Sequence, residues 1–163
     1  MNIFYIDSNP IIAAHMLADS HIRKMQIESA QMCSTAHHMN PSDPSILPLI
    51  YKKTHFNHPS TIWVRQSIQH YNWVIEHGLE ICNEFEERYE KVHATSKILT
   101  LLKSVTPNIP DIGFTPPPLC MPDQYKTADH VEAYRNFYIE DKVKIKHLKW
   151  SKLDNKPDWV NIY

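Results

Sequence analysis

The chain has 163 residues, of which 42% are hydrophobic and 21% charged, and its formal net charge is −1. That is the size and balance of one globular domain able to bury a core, and it excludes a globally basic field, so any DNA-binding face has to be a local patch. No apolar run approaches the roughly 18 residues of a membrane span, the N-terminus has no cationic leader, and three widely spaced cysteines, Cys33, Cys82 and Cys120, predict reduced thiols in a cytoplasmic protein.

In chain order, residues 3–6 (Ile-Phe-Tyr-Ile) form either a strand or an extended arm lying against helices. Asn9-Pro10 reads as an N-cap followed by proline at the first helical position, which opens a short helix over about 11–17. A second helix is predicted over about 19–38, separate from the first or joined to it with a kink. Pro41, Pro44 and Pro48 make 39–51 a loop. After His58-Pro59-Ser60 a long helix is predicted to about Tyr89, because Trp63, Val64, Ile68, Tyr71, Val74, Ile75, Leu79, Cys82 and Phe85 recur mostly at three- and four-residue steps. Gly78 is the place for a bend in it. A helix from 95 or 96 to 103 precedes a proline-rich loop over 105–121, in which Ile109, Ile112, Phe114, Leu119 and Met121 predict packing on the body. Asp129 caps a last clear helix reaching about Ile139, and the tail over 142–163 mixes lysines with Trp150 and Trp159. With two glycines in the whole chain, Gly78 and Gly113, tight hairpins are disfavoured. The expected fold class is therefore mostly α: a single compact helical domain over 1–163 with an extended N-terminal arm and a long proline-rich loop.

The second helix carries a polar stripe. At about 100° per residue, His21, Lys24, Glu28, Gln31 and Thr35 fall within about 80° of one another, while Ile22, Met25, Met32, Cys33 and Ala36 occupy a neighbouring arc that faces a core. A carboxylate flanked by histidine and lysine suits general acid–base work: the cations favour its ionised form and burial opposes it. The same spacing also describes an ordinary solvated Lys–Glu pair worth a few tenths of a kcal/mol, and periodicity does not separate the two.

The segment Leu17-Ala18-Asp19-Ser20-His21-Ile22-Arg23-Lys24-Met25-Gln26-Ile27-Glu28 resembles the active-site helix of the phage pyrimidine-dimer DNA glycosylases of the endonuclease V type, which carry a Leu-Ala-Asp-x-His segment with the catalytic glutamate seven residues after the histidine. Glu28 stands at that spacing after His21, and the likeness covers roughly residues 16–34. The resemblance implies a helical fold, a double-stranded DNA partner and a phage protein at work in its host's cytoplasm. It also implies glycosylase and abasic-site lyase chemistry, in which an N-terminal α-amine attacks C1′ of the damaged nucleotide and the glutamate manages protons. The family exposes a small second residue, usually threonine, after losing its initiator Met; residue 2 here is Asn, so the free amine is assigned to Met1. The arm before Leu-Ala-Asp is several residues longer than in the family. Two family arginines correspond to Ile27 and Gln31, which leaves Arg23 and Lys24 to supply the charge.

Glu28, Met1 and His21 are accordingly the expected catalytic residues. The expected DNA-binding set is Arg23, Lys24 and Gln31 on the second helix, His58 and Arg65 at the start of the long helix, Arg88 and Lys91 at its end, and Tyr134 and Arg135 on the last helix. Lys142, Lys144, Lys146, Lys149 and Lys152 give the tail a basic balance that fits a nucleic-acid backbone or a solvated surface equally well, and Lys156-Pro157-Asp158-Trp159 with Tyr163 makes an aromatic close. No metal is expected, because the sequence holds no H-E-x-x-H and His37-His38 diverge on a helix. No cofactor is expected either, since no glycine-rich phosphate loop exists. Two other readings share the stripe: a phage enzyme that modifies DNA bases, and a non-enzymatic protein that binds a nucleotide or a protein.

Overall fold

Local capping sets most of the helix starts. Asn9 Oδ1 accepts the Ile11 and Ile12 N–H groups at 2.9 and 3.3 Å ahead of α1 (Pro10–His15), and Asp129 Oδ1 accepts those of Val131 and Glu132 at 2.8 and 3.2 Å ahead of α7 (His130–Phe137). Between them lie α2 (Asp19–Ile22), α3 (Met25–Met39), α4 (Pro59–Val64), α5 (Ile68–Tyr89) and α6 (Ser96–Ser104). This computed structural model describes residues 1–145, 147–152 and 156–162, with side chains left aside at 145, 161 and 162. Among the described residues there is no β-strand, and the fold is mostly α as expected. No helix among them is long and apolar enough to cross a membrane. Lys146 and Tyr163 of the predicted basic and aromatic close lie outside the described residues.

The core forms where α5 crosses α3, with α1 and α6 packed on α5. Gly78 sits at the α3–α5–α6 crossing: a Cβ there would come within 2.9 Å of Ser29 Cβ and 3.1 Å of a Leu99 methyl. The glycine thus permits close helix approach, and α5 continues unbroken through it over 22 residues.

Two predicted helices are each divided. Residues 19–38 break at Arg23-Lys24, and residues 59–89 break at Arg65-Gln66-Ser67, although the apolar pattern continues across both gaps. At the second break Ser67 is extended (φ −147°), and its Oγ accepts the N–H of Gln69 and that of Ile112 in the proline-rich loop. The Pro110 carbonyl accepts the Ile68 N–H at 2.8 Å. The proline-rich loop therefore docks into the break. Farther along, Trp63 Nε1–H donates to the Thr115 carbonyl, His70 Nε2 accepts the Thr115 N–H, and Tyr134 donates to the Pro118 carbonyl.

The stretch over 39–51, expected as loop, contains the 3₁₀ segment Pro44–Leu49. After α7 the chain widens into π-helical turns over Tyr138–Ile145, and Trp150 and Trp159 pack beside Tyr138. Of the two options for residues 3–6, an arm lying against the helices is the one found, turned at Phe4 rather than extended throughout: Ile3, Phe4, Tyr5 and Ile6 belong to the core.

Candidate active site

A kink in the arm builds the site. Phe4 has φ +53°, a left-handed backbone that is unfavourable for a bulky residue. Its ring offsets this cost by stacking on His21 at 4.5 Å and meeting Tyr138 edge-on at 5.3 Å. Beyond the kink, residues 1–3 lie alongside the first turn of α3. The Met1 side chain is 2% exposed, with its sulfur 3.2 Å from Thr61 Oγ1, so the amine is anchored from behind.

Glu28, 8% exposed, receives three groups. The Met1 amine is 3.8 Å from Oε2, the Asn2 N–H donates to Oε2 at 2.8 Å, and Lys24 Nζ lies 3.0 Å from Oε1. Asn2 is locked in turn, since its Nδ2 donates to the Cys120 carbonyl and its Oδ1 accepts the Ile3 N–H. These groups line a pocket of about 310 Å³ together with Phe4, His21 and Lys142. The pocket thus sets an α-amine beside a carboxylate with a lysine ammonium on its other oxygen, an arrangement able to support amine-nucleophile and acid–base chemistry.

His21 enters it in one defined form. Tyr138 Oη accepts the Ala18 N–H at 3.0 Å and lies 2.7 Å from His21 Nδ1. The buried hydroxyl proton then has Nδ1 as its acceptor, which leaves the proton of a neutral His21 on Nε2. Burial, followed by the charges of Lys142 and Lys24, pushes His21 down to about 4 against the opposing pull of Glu28. Around neutral pH His21 is thus a hydrogen-bond donor and carries no positive charge. His58 stands on the Met1 side. Its Nδ1 caps α4 by accepting the Ser60 N–H at 3.2 Å, and burial, then the Met1 amine and His55, lower its basicity while Glu28 opposes them.

Met1, His21, Lys24 and Glu28 thus meet in one pocket, with His58 close behind. The remaining expected DNA-binding residues do not join it. Gln31 is half-buried one turn farther along α3, and Arg65 is half-buried after α4, its Nη1 without a hydrogen-bond partner among the described residues. Arg23, past the end of α2, turns away to Tyr89, and exposed Lys91 lies near it. Two expectations are corrected, at Arg88 and Tyr134. Arg88 has a fully buried side chain bonded to Asp19, Glu84 and the carbonyls of His15 and Leu17, so no phosphate reaches it. Tyr134 is a core residue and has no face for a base. Arg135 donates to the Ile6 carbonyl, pairs with Asp7 and lies over Trp159, which fastens the arm to α7.

Asn2, Phe4, Met25 and Lys142 line the pocket without being marked for it by the sequence, and Tyr138 bonds His21 from behind. Local spacing does not report that Tyr138 meets His21, which lies 117 positions earlier. No family model, curated protein or solved structure matches the chain.

Proposed function

We propose that this protein is a DNA base-processing enzyme, a glycosylase with abasic-site lyase activity in which the Met1 amine is the nucleophile and Glu28 the acid–base group. The carrying observation is the Met1 amine 3.8 Å from Glu28 Oε2 in an open pocket, an ion-pair distance from which a sub-ångström shift brings the two into hydrogen-bond reach. The likeness of the His21-to-Glu28 segment to the endonuclease V-type active-site helix supports the same chemistry. The neutral amine attacks C1′. The C1′–base bond breaks, its electron pair leaves with the base, and the base takes up a proton. The amine nitrogen loses a proton, the C1′–O4′ bond then breaks, O4′ takes up a proton, and the ring opens to the protonated imine. Glu28 then accepts a proton from C2′, the C3′–oxygen bond breaks with loss of the phosphate, and water releases the amine. Neutral His21 donates a hydrogen bond to an oxygen of the sugar, and Lys24 balances the Glu28 carboxylate.

Borohydride trapping on a duplex with one abasic site tests this reading. A covalent adduct is expected whose peptide mass assigns the linkage to residue 1, and which N-terminal acetylation abolishes. Glu28→Gln should still form adduct but slow strand cleavage by about 10²–10⁴-fold, the range of general acid–base catalysis. Absence of an adduct on any abasic or damaged duplex rejects the lyase. If Glu28→Gln then abolishes conversion of a modified base, base modification replaces it.

A further inference from the structure

On the far side of α2 from the Glu28 pocket lies a larger groove of about 630 Å³, lined by Arg23, Tyr89, Glu90, Lys91 and Lys152 with Phe85 and Arg88 at its base. We infer that this groove is a phosphate-binding track for the nucleic-acid strand that enters the Glu28 pocket, an assignment that rests on the DNA-processing reading above.

Like charges share one seat here. The Arg23 guanidinium lies 5.1 Å and Lys152 Nζ 5.6 Å from the centre of the same Tyr89 ring. Arg23 Nε donates to Tyr89 Oη at 3.0 Å, and that hydroxyl donates to the Asp19 carbonyl at 3.4 Å. The guanidinium is therefore aimed by its Nε, while its Nη groups remain for a ligand. No carboxylate among the described residues forms an ion pair with Arg23, Lys91 or Lys152. Arg88 adds no surplus, because Asp19 and Glu84 hold its charge. Among the described residues, Glu90 is the one acidic residue lining the groove. Cations gathered on one ring with so little compensation favour an anion beside them.

Continuity favours a chain of phosphates over a single anion. Arg23 also borders a second depression of about 250 Å³ that includes Ser20, Lys149 and Ser151, and Asp19, whose carboxylate is held by Ser151 and Arg88. The next residue, Lys24, lines the Glu28 pocket. Cations thus run from that pocket over the end of α2 and into both depressions, as a repeating polyanion needs. With Tyr89 occupied by cations, the groove reads the backbone and not the bases.

Fluorescence anisotropy tests this with a labelled duplex carrying a tetrahydrofuran abasic analogue, titrated across salt concentrations. For the pair Arg23→Ala with Lys152→Ala, the salt slope should fall by about 2 and affinity by one to two orders of magnitude near 0.1 M salt. Glu90→Asn, which keeps a residue tolerant of the left-handed φ of +54°, should bind more tightly than wild type. Lys97→Ala, on exposed α6 surface, should change neither quantity. If wild type forms the borohydride adduct but the double variant keeps its full salt slope, the groove assignment fails and the DNA-processing reading stands. If wild type binds no duplex, both fall.

Discussion

Arg88 spreads one guanidinium over three parts of the chain. Its Nη1 donates to the Leu17 carbonyl and Asp19, its Nη2 to the His15 carbonyl and Glu84, and its Nε again to Glu84 at 2.9 Å. These bonds tie α5 to the turn between α1 and α2, whose far end presents His21 and Lys24. Burial raises the Asp19 carboxyl, but the Ser151 hydroxyl and amide and then Arg88 outweigh it and hold Asp19 below the ordinary carboxylate range. Removing one member of such a buried ionic cluster leaves charge without its partner in a poorly solvated place. Arg88→Ala should therefore destabilise the fold by about 3–5 kcal/mol in urea melts. Arg88→Lys should restore less than half of this, because an ammonium cannot reproduce the forked geometry. A loss under 1 kcal/mol for Arg88→Ala would remove the cluster from the account of the fold.

At the scale of elements, helix contact is decided at Gly78. Exchanging glycine for alanine inside an exposed helix gains up to about 1 kcal/mol in propensity. Here the new Cβ would stand 2.9 Å from Ser29 Cβ, an atom fixed directly to the α3 backbone, so the helices must move apart. Gly78→Ala should destabilise by about 1–3 kcal/mol and should cost less in a Ser29→Gly background. A stabilised single variant would mean that α3 yields freely. Helix starts were legible in the sequence because caps are local: Asn9-Pro10, His58-Pro59 and Asp129 each act within three residues. Helix breaks were not, because the apolar period runs straight through Arg23-Lys24 and Arg65-Ser67, and the partners at those breaks come from distant segments, with Tyr89 on Arg23 and Pro110 and Ile112 at Ser67. The site divides in the same way. The Lys24–Glu28 pair is one turn of helix and could be read, and the resemblance singled out Met1 and His21. The Tyr138 contact that sets the His21 proton joins segments 117 residues apart, and local spacing cannot report it.

For the whole molecule, the abundance of histidine becomes a statement about acid stability. His37 and His77 are both buried, and burial first of all pushes His37 down to about 4 and His77 to about 3. His37 hydrogen-bonds Tyr71 and feels the charge of His38, while His77 stacks on Trp73 and its Nε2 has no hydrogen-bond partner among the described residues. In the unfolded chain both titrate near 6.5. Above that pH neither state binds the proton, so the folded state loses nothing. As pH falls from about 6.5 towards the folded values of about 4 and 3, the unfolded chain takes up protons that the folded one refuses, and stability drops. Each such proton is worth about 1.4 kcal/mol per pH unit, so the pair removes about 3 kcal/mol per unit near pH 5. His21, also shifted to about 4, adds less because it faces an open pocket. Against a total of about 5–15 kcal/mol, urea midpoints should fall steeply from pH 6.5 to 4.5, above the pH range in which most carboxylates titrate. His77→Phe keeps an aromatic ring against Trp73 and removes both the titration and the unpartnered nitrogen. It should leave stability at pH 7.5 equal or higher and cut the acid slope by up to half. A slope that His77→Phe leaves intact would assign the acid sensitivity to groups other than the core histidines, and a flat profile between pH 6.5 and 5 would mean that His37 and His77 accept protons while folded.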